Sequence, residues 1–82
     1  MNDRDIFDEM VPIFRTYAKD RGALDVATPD TGIITDLKVN SARIVDVMIQ
    51  FEDKFGIDIK DDDFNKMNKI GDAVIMIKGK LL

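Results

Sequence analysis

Residues 40–56 read NSARIVDVMIQFEDKFG. From Ala42 to Phe55 the apolar residues Ile44, Met48, Phe51 and Phe55 fall at i, i+4, i+7 and i+11, with Val45, Val47 and Ile49 beside them. Asp46, Gln50 and Asp53 face away, so the stretch reads as an amphipathic helix. Gly56 is placed to end it in a left-handed cap. At its start stand Asn40 and Ser41, both of residue types that satisfy the free amides of a helix N-terminus. If Asn40 caps, Ser41 becomes the first helical residue and its hydroxyl has little structural work. The free amides and the positive dipole end would then favour an anion attached to that hydroxyl, by roughly 0.3 to 1 kcal/mol.

On the N-terminal side, DRDIFDEMVPIFRTYAKDRG carries Ile6, Phe7, Met10, Val11, Ile13, Phe14 and Tyr17 at three- and four-residue spacing. A first helix is expected to about residue 20, favoured by Asp3 and Asp5 at its start and by Lys19 and Arg21 at its end, with Gly22 to stop it. Pro12 removes a hydrogen bond to the Asp8 carbonyl, which predicts a kink or a break near Val11. Ala23 to Val39 holds no sustained period and reads as a long ordered loop anchored by Leu24, Val26, Ile33, Ile34 and Leu37. A loop of that length in so small a domain tends to be functional.

Beyond Gly56, IDIKDDDFNKM offers two isoleucines and an Asp cluster, suited to capping one short helical turn with Phe64 and Met67. A last helix is expected with Asn68 as N-cap and with Ile70, Val74, Ile77 and Leu81 turned to the core. The chain thus reads as all-α, a four-helix bundle with a long first loop and a short third helix. Its 82 residues form a single domain, 1–82, with room for one core.

Composition removes several function classes. The chain has no Cys and no His, which excludes disulfides and the usual zinc sites. The same absence leaves Ser41 without a base, so catalysis by this chain is not expected. An EF-hand reading would put Asp61, Asp63, Asn65 and Asp72 at positions 1, 3, 5 and 12, but Lys66 falls where glycine is required. The cluster reads as a solvated acidic cap, and no metal is expected. Net charge is −4; residues 40–66 hold seven acids against four bases, and residues 67–82 one acid against three bases. An acidic middle repels phosphate backbones and disfavours nucleic acid, whereas basic protein surfaces suit it. No apolar run is long enough for a membrane span, and the acidic N-terminus does not resemble a leader. A cytoplasmic monomer without membrane insertion is expected.

Taken together, the order of elements resembles the acyl carrier protein family. In that family the modified serine lies in an Asp-Ser-Leu motif preceded by a pattern like Asp-Leu-Gly; here the residues are Asp36, Leu37, Lys38, Val39, Asn40, Ser41 and Ala42. FEDKFGIDI is similar to the end of the family's acidic helix, and DDDFNKMNKIGDAV to its short third helix and the entry to the fourth. The resemblance implies a 4'-phosphopantetheine on Ser41, flanked by Asn40 and Ala42 and installed by a phosphopantetheinyl transferase. Its thiol would carry acyl intermediates as thioesters between enzymes of fatty acid or specialised lipid biosynthesis. It further implies an acyl-chain cavity among Ile44, Val45, Met48, Phe51, Ile59, Phe64, Met67, Ile70, Val74 and Ile77. Partner recognition would fall to Arg43, Asp46, Glu52, Asp53, Asp61, Asp62 and Asp63, facing basic docking patches on acyl-transferring or chain-elongating enzymes. Asn40, Ala42 and Arg43 depart from the family pattern and imply a specialised carrier. The alternative is an unmodified helical interaction module in which Ser41 is only a cap.

Overall fold

The computed structural model describes residues 2–81. Helix α1 (Asp3–Tyr17) opens with a reciprocal cap: the Asn2 side chain accepts the Asp5 N–H at 2.8 Å, and the Asp5 carboxylate accepts the Asn2 N–H at 3.4 Å. A single turn, α2 (Gly22–Asp25), follows; then a 3₁₀ turn, Ser41–Arg43, leads into α3 (Ile44–Phe55). One further turn, α4 (Asp61–Phe64), precedes α5 (Ile70–Leu81). The described residues contain no β-strand, only isolated bridges of Ala18 with Val39 and of Gly32 with Lys69.

Both long partners run antiparallel to α1. Lys54 near the end of α3 reaches Glu9 at 3.0 Å, while the Ala18–Val39 bridge ties the start of α3 to the end of α1. Lys78 near the end of α5 reaches Asp3 at 2.9 Å. Between the three helices lies one core, with Ile6, Met10, Phe14, Val47, Phe51, Ile70 and Ile77 fully buried. Phe14 and Phe51 meet edge to face with centroids 5.5 Å apart, and Phe55 stands against Phe51 at 6.4 Å.

Several expectations are corrected here. Pro12 does not break α1, which is continuous from Asp3 to Tyr17. Both Pro12 and Asp8 are exposed, so the carbonyl that loses its partner can reach water. The helix ends at Tyr17 rather than near residue 20, because the backbone turns extended at Ala18 and the Lys19 and Asp20 N–H groups donate to Lys38 and Leu37 carbonyls. Gly22 begins α2 instead of stopping α1. In the loop, Leu24, Ile33 and Leu37 are buried as anchors, but Val26 and Ile34 are exposed. Leu81 is exposed as well. The Asn68 side chain does not cap α5; the Asp72 carboxylate does that work, accepting the N–H groups of Asn68 and Lys69 at 3.1 and 2.9 Å.

The long loop docks on the first turn of α5. Gly71 donates its N–H to the Pro29 carbonyl at 2.8 Å, and a Cβ on Gly71 would meet that same oxygen at 2.8 Å and the Pro29 Cβ at 3.2 Å. Glycine in a helix ordinarily loses up to about 1 kcal/mol against alanine. At Gly71 the sign reverses, because backbone must move: Gly71→Ala is expected to destabilise by about 1 to 3 kcal/mol. Gly79, with nothing within 4 Å of its would-be Cβ, is the control. Gly79→Ala should raise the melting temperature where Gly71→Ala lowers it, as read by thermal circular dichroism.

Candidate functional site

The site forms where the long loop delivers the chain to the start of α3. Gly32 donates its N–H to the Asp36 carboxylate at 2.6 Å, and the Asp36 and Leu37 N–H groups both donate back to the Gly32 carbonyl at 3.1 Å. The chain then passes through Lys38 at φ 58°, left-handed and costly for a residue with a Cβ by roughly 1 to 2 kcal/mol. Val39 buries next, and Asn40 follows as the cap.

Asn40 does the capping. Its side chain accepts the Ala42 N–H at 2.9 Å, and its carbonyl accepts the Arg43 N–H at 2.8 Å. Ser41 is thereby the first residue of the turn; its side chain is exposed, and its hydroxyl bonds to nothing among the described residues. The cap also corrects one expectation. The amides of Ala42 and Arg43 are spent on Asn40, so the start of this helix is not the open anion site that its sequence suggested.

Four-residue steps from Ser41 lead along α3 to Val45 and Ile49, which are 55% and 48% exposed. Val45 therefore does not belong with the cavity residues. Ile44, Met48, Phe51, Met67, Ile70, Val74 and Ile77 are buried, and Ile59 and Phe64 pack half-buried against them. These nine belong to the one core that α1, α3 and α5 share. The single turn α4 contains no buried residue.

The acidic residues divide by role. Glu52 is half-buried and accepts the Ile59 N–H at 2.9 Å, holding the extended stretch after α3 in place. Asp63 accepts the Lys60 N–H at 3.1 Å and pairs with Lys80 at 2.8 Å, pinning α4 to α5. The role of Glu52 was not legible in the sequence, whereas Asp63 does the capping expected of the Asp cluster and adds the pair with Lys80. Arg43 pairs with Asp46 at 3.2 Å, and Asp53, Asp61 and Asp62 remain exposed. No three carboxylates among the described residues come together to hold a metal ion. No described helix is long and apolar enough to cross a membrane.

The Lys80 ammonium, then the Lys60 N–H, hold the Asp63 carboxyl below the usual carboxylate range. A carboxylate lowered in the folded state stabilises the fold above its unfolded pKa, and that contribution is lost as pH falls through the folded value. Asp63→Asn should therefore lower the melting temperature at neutral pH, and the gap to the parent should close as the pH drops below about 4. A gap that stays constant into acid would show that the pair contributes nothing through its charge.

Two residues escaped the sequence reading. Ile49 was legible in principle, two four-residue steps from Ser41. Lys38 was too, because the related motif has glycine there, the residue that a left-handed backbone favours.

Comparison with known proteins agrees with this geometry. Residues 16–77 match the family model described as the phosphopantetheine attachment site. The chain is 41% identical over 54 residues to an acyl carrier protein of Lactobacillus acidophilus, a match covering 66% of this chain and 68% of that protein. It is 36% identical over 52 residues to an acyl carrier protein of Nitratidesulfovibrio vulgaris, covering 63% and 68%. Against the meromycolate extension acyl carrier protein of Mycolicibacterium aurum the identity is 35% over 51 residues, covering 62% of this chain and 53% of the relative. An all-helical fold, an exposed serine at the start of α3 and a match over more than half its length agree: the chain belongs to the acyl carrier protein family, a carrier rather than an enzyme, whose attachment site bears 4'-phosphopantetheine covalently.

Proposed function

We propose that Ser41 bears the 4'-phosphopantetheine and that the chain shuttles acyl intermediates as thioesters between enzymes of fatty acid or specialised lipid biosynthesis. The observation that carries this is the division of labour at the helix start. Asn40 caps, and the Ser41 hydroxyl is exposed and unengaged, so a phosphodiester there displaces nothing. The arm supplies a thiol to a chain that has no cysteine.

The chain's own residues do the rest. An acyl group would enter on the α4 side, past Ile59 and Phe64, to lie against Met48, Phe51 and Met67. Each methylene taken from water gains about 0.8 kcal/mol, which offsets the parting of helices in a small domain. Burial would also keep water from the thioester. On the outside, Val45 and Ile49 offer an apolar strip to partner enzymes beside the attachment point, with Asp53, Asp61 and Asp62 at its far end.

Incubation with coenzyme A and a phosphopantetheinyl transferase, followed by intact mass measurement and peptide mapping, tests the attachment. One phosphopantetheine on the peptide containing Ser41 is expected. No added mass after prolonged incubation would favour an unmodified interaction module. Mass spectrometry of the thioester recovered from cells identifies the cargo, for which a fatty acyl group is expected.

A further inference from the structure

We infer that the docking face is electrically two-ended. The partner it fits carries an acidic group at the mouth that receives the arm, an apolar patch at mid-face, and basic groups only at the distal end. Given the arm on Ser41, that partner differs from an enzyme whose carrier-binding surface is basic throughout.

Around Ser41 the one charged side chain with neither an ion pair nor a side-chain hydrogen bond among the described residues is positive. Lys38, three residues before it, is exposed and forms no ion pair among the described residues. Three Cα steps of about 3.8 Å keep it within roughly 11 Å of Ser41 along the backbone. Arg43, two residues after Ser41, lies across Asp46 at 3.2 Å with its own side chain 65% exposed. The acid nearest to the attachment point on α3 is therefore neutralised by a neighbour that still faces solvent. Asp36, on the other side, is committed to the Gly32 N–H.

The far end has the opposite sign. Glu52 and Asp63 are spent on the fold, yet Asp53, Asp58, Asp61 and Asp62 are exposed there and outnumber the exposed Lys60 and Lys66. Lys54, the one base on α3, is turned to Glu9 on α1. Between the two ends the exposed Val45 and Ile49 carry no charge. The phosphodiester adds one negative charge beside Lys38 and Arg43, the two cations of this end.

A basic group facing Arg43 would be repelled, and loss of Arg43 would both remove that repulsion and leave the 41% exposed Asp46 without its ion-pair partner. Rim charges act mainly on the encounter rate and its salt dependence. The test uses coenzyme A with a phosphopantetheinyl transferase whose carrier-docking surface is basic along its length. A second form of that enzyme has the base facing the start of the carrier helix replaced by Glu. Arg43→Glu is expected to raise kcat/KM with the first enzyme by about five- to tenfold at low salt, and the gain should vanish near about 0.5 M salt. Arg43→Gln should give a smaller gain in the same direction, with circular dichroism confirming that both variants fold. The charge-reversed enzyme should prefer the parent chain. Asp61→Lys combined with Asp62→Lys should slow the basic enzyme. Loading of Arg43→Glu by the basic enzyme at or below the parent rate would overturn the two-ended face while leaving the attachment site standing. Absence of any mass gain in every variant would overturn the attachment site and this face with it.

Discussion

Ser41→Ala is expected to leave the protein folded and to abolish its loading. The hydroxyl is exposed and makes no hydrogen bond among the described residues, and Ala42 and Arg43 donate to Asn40 whatever occupies position 41. A surface change of this kind moves stability by less than about 0.5 kcal/mol. Loading, by contrast, needs an oxygen to form the phosphodiester, and alanine has none. The predicted mass gain with transferase and coenzyme A is therefore zero, against one phosphopantetheine for the parent. Asn40→Ala should do the reverse. It removes the cap, at about 1 kcal/mol, yet leaves the acceptor oxygen in place and loading measurable. The pair separates the two roles that a serine at a helix start can play. If Ser41→Ala unfolded the protein and Asn40→Ala did not, the serine would be the cap and the structural argument for attachment at Ser41 would be lost.

The α3 helix was legible from Ile44 onward because its signal is local, a four- and three-residue apolar period closed by Gly56, which the structure shows at φ 65°; residues 41–43, read as its first turn, are a 3₁₀ turn instead. Asn40 and Ser41 were legible as the two cap candidates, and the structure gives the cap to Asn40. What could not be read depended on where the backbone goes in three dimensions. Pro12 looks disruptive until its carbonyl partner is known to lie on the wet side of α1. Val45 and Ile44 are chemically alike and adjacent, and only the direction from which α1 packs decides that one is buried and the other lines the surface. Glu52 read as a surface acid because its acceptor duty depends on a turn seven residues away, and Asp63 read as a cap without its pairing to Lys80. Charge in sequence is a count, whereas recognition depends on which charges remain uncommitted.

The largest effect on stability is expected at Phe51. Its ring is fully buried, lies edge to face on Phe14 at 5.5 Å and takes Phe55 at 6.4 Å on its other side, so it joins α1 to α3 at the centre of the core. Truncation to alanine removes the transfer free energy of the ring and leaves a cavity. Such changes typically cost about 3 to 5 kcal/mol. The chain has no cysteine with which to form a disulfide, and a single core of this size supplies only about 3 to 5 kcal/mol net. Phe51→Ala should therefore be largely unfolded at room temperature, with most helical ellipticity lost and no cooperative melt. Phe51→Leu, which fills more of the space, should retain a cooperative transition at a lower temperature. Function distinguishes this from the Ser41 variant. Phe51→Ala keeps the attachment oxygen, so any loading it shows should scale with the folded fraction and recover on addition of a stabilising osmolyte. Loading at the parent rate in an unfolded chain would mean that the transferase reads residues 36–43 as a linear motif, without the helix packed beneath them.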